Sequence, residues 1–205
     1  MERRIRWDGC LRVDQADPKL LATMKSAGCI QVEYGFESGS DSALRRLGKN
    51  ATSEMNRRAV QLTRAARLRV FADIMVGLPG ETEEELKATE RFVLWMKPDV
   101  LSAGQLMPLP GSLIYDQWSE AVRQKIGWGR FAYADSAHWP MNLTAMPDGL
   151  ARRRIREFEK YVVRPMVARQ VLKDSSPADR LLRRSQRRIL LRFSLRHPIR
   201  AVQLF

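Results

Sequence analysis

An α/β fold built on a parallel sheet is what this sequence predicts, and three observations predict it. From residue 4 to residue 107, segments whose apolar residues alternate with period two take turns with segments of helical period. That alternation requires right-handed crossovers between parallel strands. The strands also carry polar residues on their second face, which suits the lumen of a curved sheet or partial barrel better than an open sheet covered on both sides. Four strands cannot close a barrel, so either the sheet stays open or a preceding segment supplies the missing strands. Finally, a strongly basic stretch with helical periodicity follows from residue 151. The predicted class is α/β, a curved parallel sheet or a partial (β/α) barrel, with a basic helical C-terminal extension.

The elements follow in order. In "IRWDGCLRV" Ile5, Trp7, Leu11 and Val13 alternate with Asp8, Cys10 and Arg12, a strand with one apolar face. "DPKLLATMKSAG" reads as a helix with Asp17 as N-cap, Pro18 at the first helical position and Gly28 just past the end. "CIQVEYGFES" sets Ile30, Val32, Tyr34 and Phe36 against Gln31, Glu33, Gly35 and Glu37, a second strand. Thr52 caps a helix running to about Arg67, "VFADIMVGL" is a third strand, and "TEEELKATERFVLWM" is a helix opened by a Thr82/Glu85 capping box. The fourth strand, "DVLSAGQLM", stops at "PLPG". These segments make one sheet-bearing unit over residues 1–118, an open curved sheet or a partial barrel. Residues 119–150, with "GWGRFAYADSAHWPMN", read as an aromatic-rich loop region. The helical extension occupies 151–205, where "ARRRIREFEKYVV" is followed by "ADRLLRRSQRRILLRF", with Ala178, Leu181, Leu182, Ile189 and Phe193 on one stripe.

Composition bounds the function. With 205 residues, 44% hydrophobic and 29% charged, the chain can bury one sizeable core. No run approaches the eighteen or so apolar residues of a membrane span, and the opening "MERRIRWDGC" lacks the apolar core of a secretory signal, so a cytoplasmic location is expected. Cys10 and Cys29 match no metal or redox spacing and read as free thiols. The net charge of +13 is uneven: residues 151–205 carry 16 Lys/Arg and 4 Asp/Glu, or +12, against 20 and 19, or +1, before them. The nearly neutral part is therefore the catalytic candidate.

In parallel α/β folds, ligands bind beyond the carboxyl ends of the strands, where helix N-termini present unpaired N–H groups. Three strand ends here are chemically distinctive: "GFESGSD" at 35–41, "GLPGET" at 77–82 and "PLPGS" at 108–112. Glu37 and Ser38 offer an acceptor and a donor suited to the vicinal hydroxyls of a ribose. Gly77 and Gly80 let backbone approach a flat ring, while Pro79 stiffens the turn. Pro108 and Pro110 end the last strand. Each motif taken singly reads more simply as a surface dipeptide or an ordinary turn. Their succession at consecutive strand ends is what carries information.

The ordered set "MKSAGCIQVEYGFESGSDSALRRLGKNAT", "FADIMVGLPGETEEEL" and "LMPLPGSLIYDQW" closely resembles the C-terminal half of the radical S-adenosylmethionine (SAM) domain, most of all the subgroup that also carries a cobalamin-binding domain. The resemblance covers roughly residues 4–118, and "EFEKYVVRPMVARQVLK" is similar to the helical segment that follows the barrel there. It implies a partial TIM-like barrel whose third to sixth strands are the four above. It also implies that Glu37 and Ser38 contact the SAM ribose and that Gly77, Leu78, Pro79, Gly80 and Glu81 form the turn beside the adenine. Leu106, Met107 and Pro108 would border the adenine from the last strand, and Arg12 would meet the SAM carboxylate. An ordinary lumenal salt bridge is an equal reading of Arg12.

The resemblance also implies a four-iron four-sulfur cluster and chemistry by a 5′-deoxyadenosyl radical, yet the cluster-binding Cys-x-x-x-Cys-x-x-Cys loop is absent from this sequence. The chain is thus expected to be the C-terminal portion of an enzyme, incomplete and inactive without a missing N-terminal half or complementary chain that carries the loop. Cobalamin would come through a further domain. Tyr115, Trp118, Trp128, Tyr133, His138 and Trp139 would line a substrate chamber, with plain loop packing as their other reading. A rival function is a noncatalytic remnant or module whose basic tail engages a membrane surface or RNA. Nucleic acid is the weaker of these, because no aromatic-interleaved RNA signature appears.

Overall fold

A computed structural model describes residues 5–120, 123 and 141–173. At its centre lie four parallel strands in the order β1-β2-β3-β4, with β1 Trp7–Cys10, β2 Cys29–Glu37, β3 Arg69–Val76 and β4 Val100–Gln105. Crossovers run through α1 Pro18–Ser26, then α2 Asp41–Arg46 with α3 Ser53–Ala65, then α4 Glu83–Met96. After β4 come a one-turn α5, Leu113–Asp116, and α6 Asp148–Phe158, which continues through a π turn, Glu159–Val163, into α7 Arg164–Lys173.

The helix starts obey their capping chemistry. The Asp17 carboxylate accepts from Lys19 and Leu20 N–H ahead of Pro18, Thr52 Oγ1 accepts from Met55 N–H, and Thr82 with Glu85 forms a reciprocal capping box. Alternation along the strands then divides the sheet into two faces. Val32, Tyr34 and Phe36 of β2 and Val70, Ala72, Ile74 and Val76 of β3 lie in the core beneath α1, α3 and α4, together with Leu21, Val60, Leu86, Phe92 and Val93. Burying this set from water is the main stabilising term. The opposite face presents Glu33, Gly35, Asp73 and Ser102, as the lumenal reading expects. Met146, then Ala151, Ile155 and Phe158 of α6, Val162 of the π turn and Met166 of α7 join the same core.

Several boundaries differ from the sequence reading. β1 stops at Cys10, and the chain turns at Arg12 into a 3-10 turn over Val13–Gln15. β4 stops at Gln105, before Pro108, which cannot donate to a ladder. The first helix of the basic extension begins at Asp148 rather than at 151, and α2 is an additional helix too short for its periodicity to show. Trp128, Tyr133, His138, Trp139 and the leucine stripe from Ala178 to Phe193 lie outside the described residues. Among the described residues, no helix is long and apolar enough to cross a membrane.

Candidate functional site

The carboxyl ends of β2, β3 and β4 converge on an open cleft of about 290 Å³ on the polar face of the sheet. Gly35 and Glu37 line it from β2, Asp73 and Met75 from β3, and Ser102 and Gly104 from β4, with Leu106 and Met107 at one rim. Gly35, Asp73 and Ser102 sit side by side by strand register. A Cβ at Gly104 would meet nothing within 4 Å, whereas one at Gly35 would fall 2.7 Å from Glu37 Oε1 and 3.2 Å from Lys49 Nζ. A side chain at position 35 would therefore push the Glu37 carboxylate and the Lys49 ammonium from their present places over the strand.

Glu37 is the centre of this end. It is 9% exposed and has a φ of 60°, left-handed, where the β2–β3 register shifts. Lys49 Nζ lies 2.7 Å from Glu37 Oε1 and donates to the Gly35 carbonyl at 3.1 Å. Deeper along the same face, burial and a hydrogen bond with the Asp73 carboxyl push Glu33 above the usual carboxylate range. At the end of β2 this acidic face meets the Lys49 ammonium.

Ser38 behaves differently from the strand-end donor that the sequence suggests. It is fully buried, its hydroxyl bonded to Thr89 Oγ1 at 2.9 Å while accepting from Ser40 N–H at 3.1 Å. Thr89 in turn donates to the Glu85 carbonyl, which leaves the Ser38 proton for Thr89. In this conformation Ser38 presents nothing to a ligand. Arg12 pairs with Asp14 at 2.8 Å in an exposed position outside the cleft.

The Gly77–Glu81 turn is held from three sides. Glu81 is fully buried, and its Oε2 accepts from Gly77 N–H at 2.8 Å and Leu78 N–H at 3.3 Å. Burial pushes its carboxyl up to about 7, the Glu85 charge adding to the shift while the two N–H groups and Arg46 oppose it. Arg46 Nε donates to the Pro79 carbonyl at 3.0 Å, and the Leu143 carbonyl and Ala145 N–H bond Gly80 and Glu81 at 2.7 and 3.0 Å. Glu81 thus braces the turn from within rather than reaching for a ligand, and Leu78, 1% exposed, is core. Pro108 is buried as well. Tyr115 and Trp118 pack on each other, ring centroids 5.6 Å apart, away from the cleft lining.

The region that carries these strand ends also has known relatives by sequence. Residues 8–93 match the family model described as the radical SAM superfamily. Over that region the chain is similar to the superfamily. Among curated relatives, an uncharacterized methyltransferase of Pyrococcus horikoshii is 25% identical over 167 residues, 80% of this chain and 35% of that protein. The anaerobic magnesium-protoporphyrin IX monomethyl ester cyclase of Rubrivivax gelatinosus is 32% identical over 52% of this chain and 19% of its own. Among solved structures, the radical SAM enzyme coproporphyrinogen III oxidase of Escherichia coli aligns with 77% of this chain and 32% of that one, with a TM-score of 0.55 at 16% identity, a likeness of fold. The chain thus spans about a third or less of the length of these relatives.

The donor set at the cleft fits the polar parts of SAM, with carboxylates at Glu37 and Asp73 to accept from hydroxyl or ammonium groups and a floor of glycine backbone. The thiols do not fit an iron–sulfur cluster. Cys29 is buried and donates to the Gln31 carbonyl, while Cys10 is exposed at the end of β1, and among the described residues no three His, Cys, Asp or Glu side chains gather as a metal site. Lys49, Asp73 and Arg46 are site residues that sequence reasoning missed. Only Asp73 left a signal, a charge in the middle of an apolar strand.

Proposed function

We propose that this chain forms one wall of the SAM site in a radical SAM enzyme, with the four-iron cluster supplied by an N-terminal segment or partner chain outside it. The observation that carries the reading is Glu37, a buried carboxylate at the carboxyl end of β2 that opens on the cleft beside Asp73. Glu37 accepts the ribose hydroxyls, taking over from Lys49, and the Gly77–Gly80 turn with Leu106 and Met107 borders the adenine. SAM supplies radical chemistry when bound. This chain's residues bind it and screen it from water on one side. Methyl or methylthio transfer is the class its relatives favour, and a further cobalamin-binding domain accords with the motif order.

The test is calorimetric SAM binding to enzyme completed by an N-terminal half. Glu37→Gln should weaken binding roughly tenfold to a hundredfold, the loss of a charge-assisted hydrogen bond, with little change in melting because the amide still accepts from Lys49. Glu33→Gln, deeper in the lumen and outside the cleft lining, should change affinity less. Unchanged affinity in Glu37→Gln would sink the ribose assignment.

A further inference from the structure

Glu37 owes its aim to a backbone conformation that a residue with a Cβ adopts at a cost. Its φ is 60°, and the Ser38 N–H donates to the Phe36 carbonyl at 2.7 Å, a two-residue closure that makes Glu37 the apex of a γ-turn. Such a turn persists only where its surroundings hold it. One side chain spans it: Asn56 Nδ2, from α3, donates to the Phe36 carbonyl at 3.3 Å and the Ser38 carbonyl at 3.2 Å, the two groups that flank Glu37.

Asn56 is fully buried, on the helix face that also buries Ala59, Val60 and Thr63, where an apolar residue would pack without a polar group to desolvate. Its Oδ1 has no hydrogen-bond partner among the described residues. An amide kept there with half of its bonding capacity unused gains nothing for the core that leucine would not provide. What it does supply is the pair of bonds at the turn. We infer that Asn56 is a positioning residue, which holds Glu37 in the left-handed turn from which its carboxylate meets the cleft. The cofactor consequence rests on the ribose reading given above; the turn itself does not.

The first measurement is amide hydrogen exchange at Ser38, by nuclear magnetic resonance, in the full chain. Asn56→Ala and the near-isosteric Asn56→Leu, which leaves no cavity, should each speed exchange at Ser38 roughly tenfold, about the loss of one buried hydrogen bond. Adding Glu37→Gly to either should restore protection, since glycine takes a positive φ without strain. The second measurement is SAM affinity in enzyme completed by an N-terminal half, where Asn56→Leu should raise the dissociation constant about tenfold. Unchanged Ser38 exchange in both Asn56 variants overturns the inference. Protection that is lost and not recovered by Glu37→Gly overturns it too, because Asn56 then acts through general packing. Protection lost and recovered with SAM affinity unchanged upholds the turn and overturns the ribose reading instead.

Discussion

Arg46 and Glu85 meet in a two-pronged ion pair, Nη1 2.8 Å from Oε1 and Nη2 2.5 Å from Oε2. The pair ties α2, which follows β2, to the first turn of α4, which follows β3. It does so across the Gly77–Gly80 turn, whose Pro79 carbonyl takes the third nitrogen of the same guanidinium. Glu85 also accepts from Ser42 and from the Thr82 N–H, so one carboxylate caps a helix, anchors an arginine and links two strand ends. These bonds hold its carboxyl down at about 2, with the Arg46 contact the largest cause.

Arg46→Ala should therefore cost stability, by about 1 to 3 kcal/mol for hydrogen bonds to a charged partner, toward the low end because the Arg46 side chain is 38% exposed and solvent screens it. Arg46→Lys should recover less than half, since an ammonium cannot fork onto two oxygens and a carbonyl at once. Urea unfolding reads both. The Glu85 contribution has a definite acid limit: its folded value lies below the ordinary 4.5, so the stabilisation is present above 4.5 and fades as pH falls toward 2. Equal stabilities for Arg46→Ala and the parent at pH 6 would show that the clamp holds nothing.

Glu81 runs the opposite way. Its folded value is raised from 4.5 to about 7, so its contribution is full below 4.5, declines as pH rises through that window and is gone above about 7. Glu81→Gln cannot ionise and keeps an acceptor for the Gly77 and Leu78 N–H groups. The stability difference between parent and variant should drift in the variant's favour by order 1 to 3 kcal/mol between pH 4.5 and 7.5. A flat difference across that range would mean that Glu81 titrates as an exposed carboxylate does.

Much of this arrangement was legible in the sequence because its causes are local. Period-two alternation fixes which face of β2 and β3 enters the core, and Asp17, Thr52 and Thr82 mark helix starts through bonds that span two or three residues. The Gly77 turn was legible for the same reason. What stayed hidden depends on partners far along the chain. Arg46 looks like any arginine until α4 delivers Glu85 beside it, 39 residues on. Asn56 looks like a polar helix residue until β2 ends against it. Ser38 misled, since a serine after a strand-end glutamate says nothing about the Thr89 hydroxyl, 51 residues away, that takes its proton. The 290 Å³ cleft is likewise a product of register among three strands.

The thiols give a prediction independent of SAM. Purified without oxygen and reconstituted with iron and sulfide, this chain alone should retain no stoichiometric four-iron cluster, because it offers two cysteines, one of them buried, where a cluster loop needs three. Iron and acid-labile sulfide are counted after desalting. Four of each per chain would overturn the assignment of the cluster to a segment outside it.

The last prediction separates two costs at the turn that sequence reading puts beside the adenine. Gly77 has a φ of +71°, and a Cβ there would lie 2.8 Å from Gln105 Cγ and 3.1 Å from its Nε2. Gly48 has nearly the same φ, +67°, with nothing within 4 Å of the added carbon. Gly48→Ala should thus report backbone strain alone, about 1 to 2 kcal/mol. Gly77→Ala should cost that plus a collision of about 1 to 3 kcal/mol, because Cγ clears the added carbon only by a change of the Gln105 χ1 rotamer or a backbone shift. Gln105→Ala removes the obstacle without touching φ. In the Gln105→Ala background, then, Gly77→Ala should fall back to about the Gly48→Ala value, a coupling read from urea unfolding of the four variants and the parent. If Gly77→Ala costs the same with and without the Gln105 side chain, β4 does not press on the turn, and Gln105 has no part in shaping that edge of the cleft.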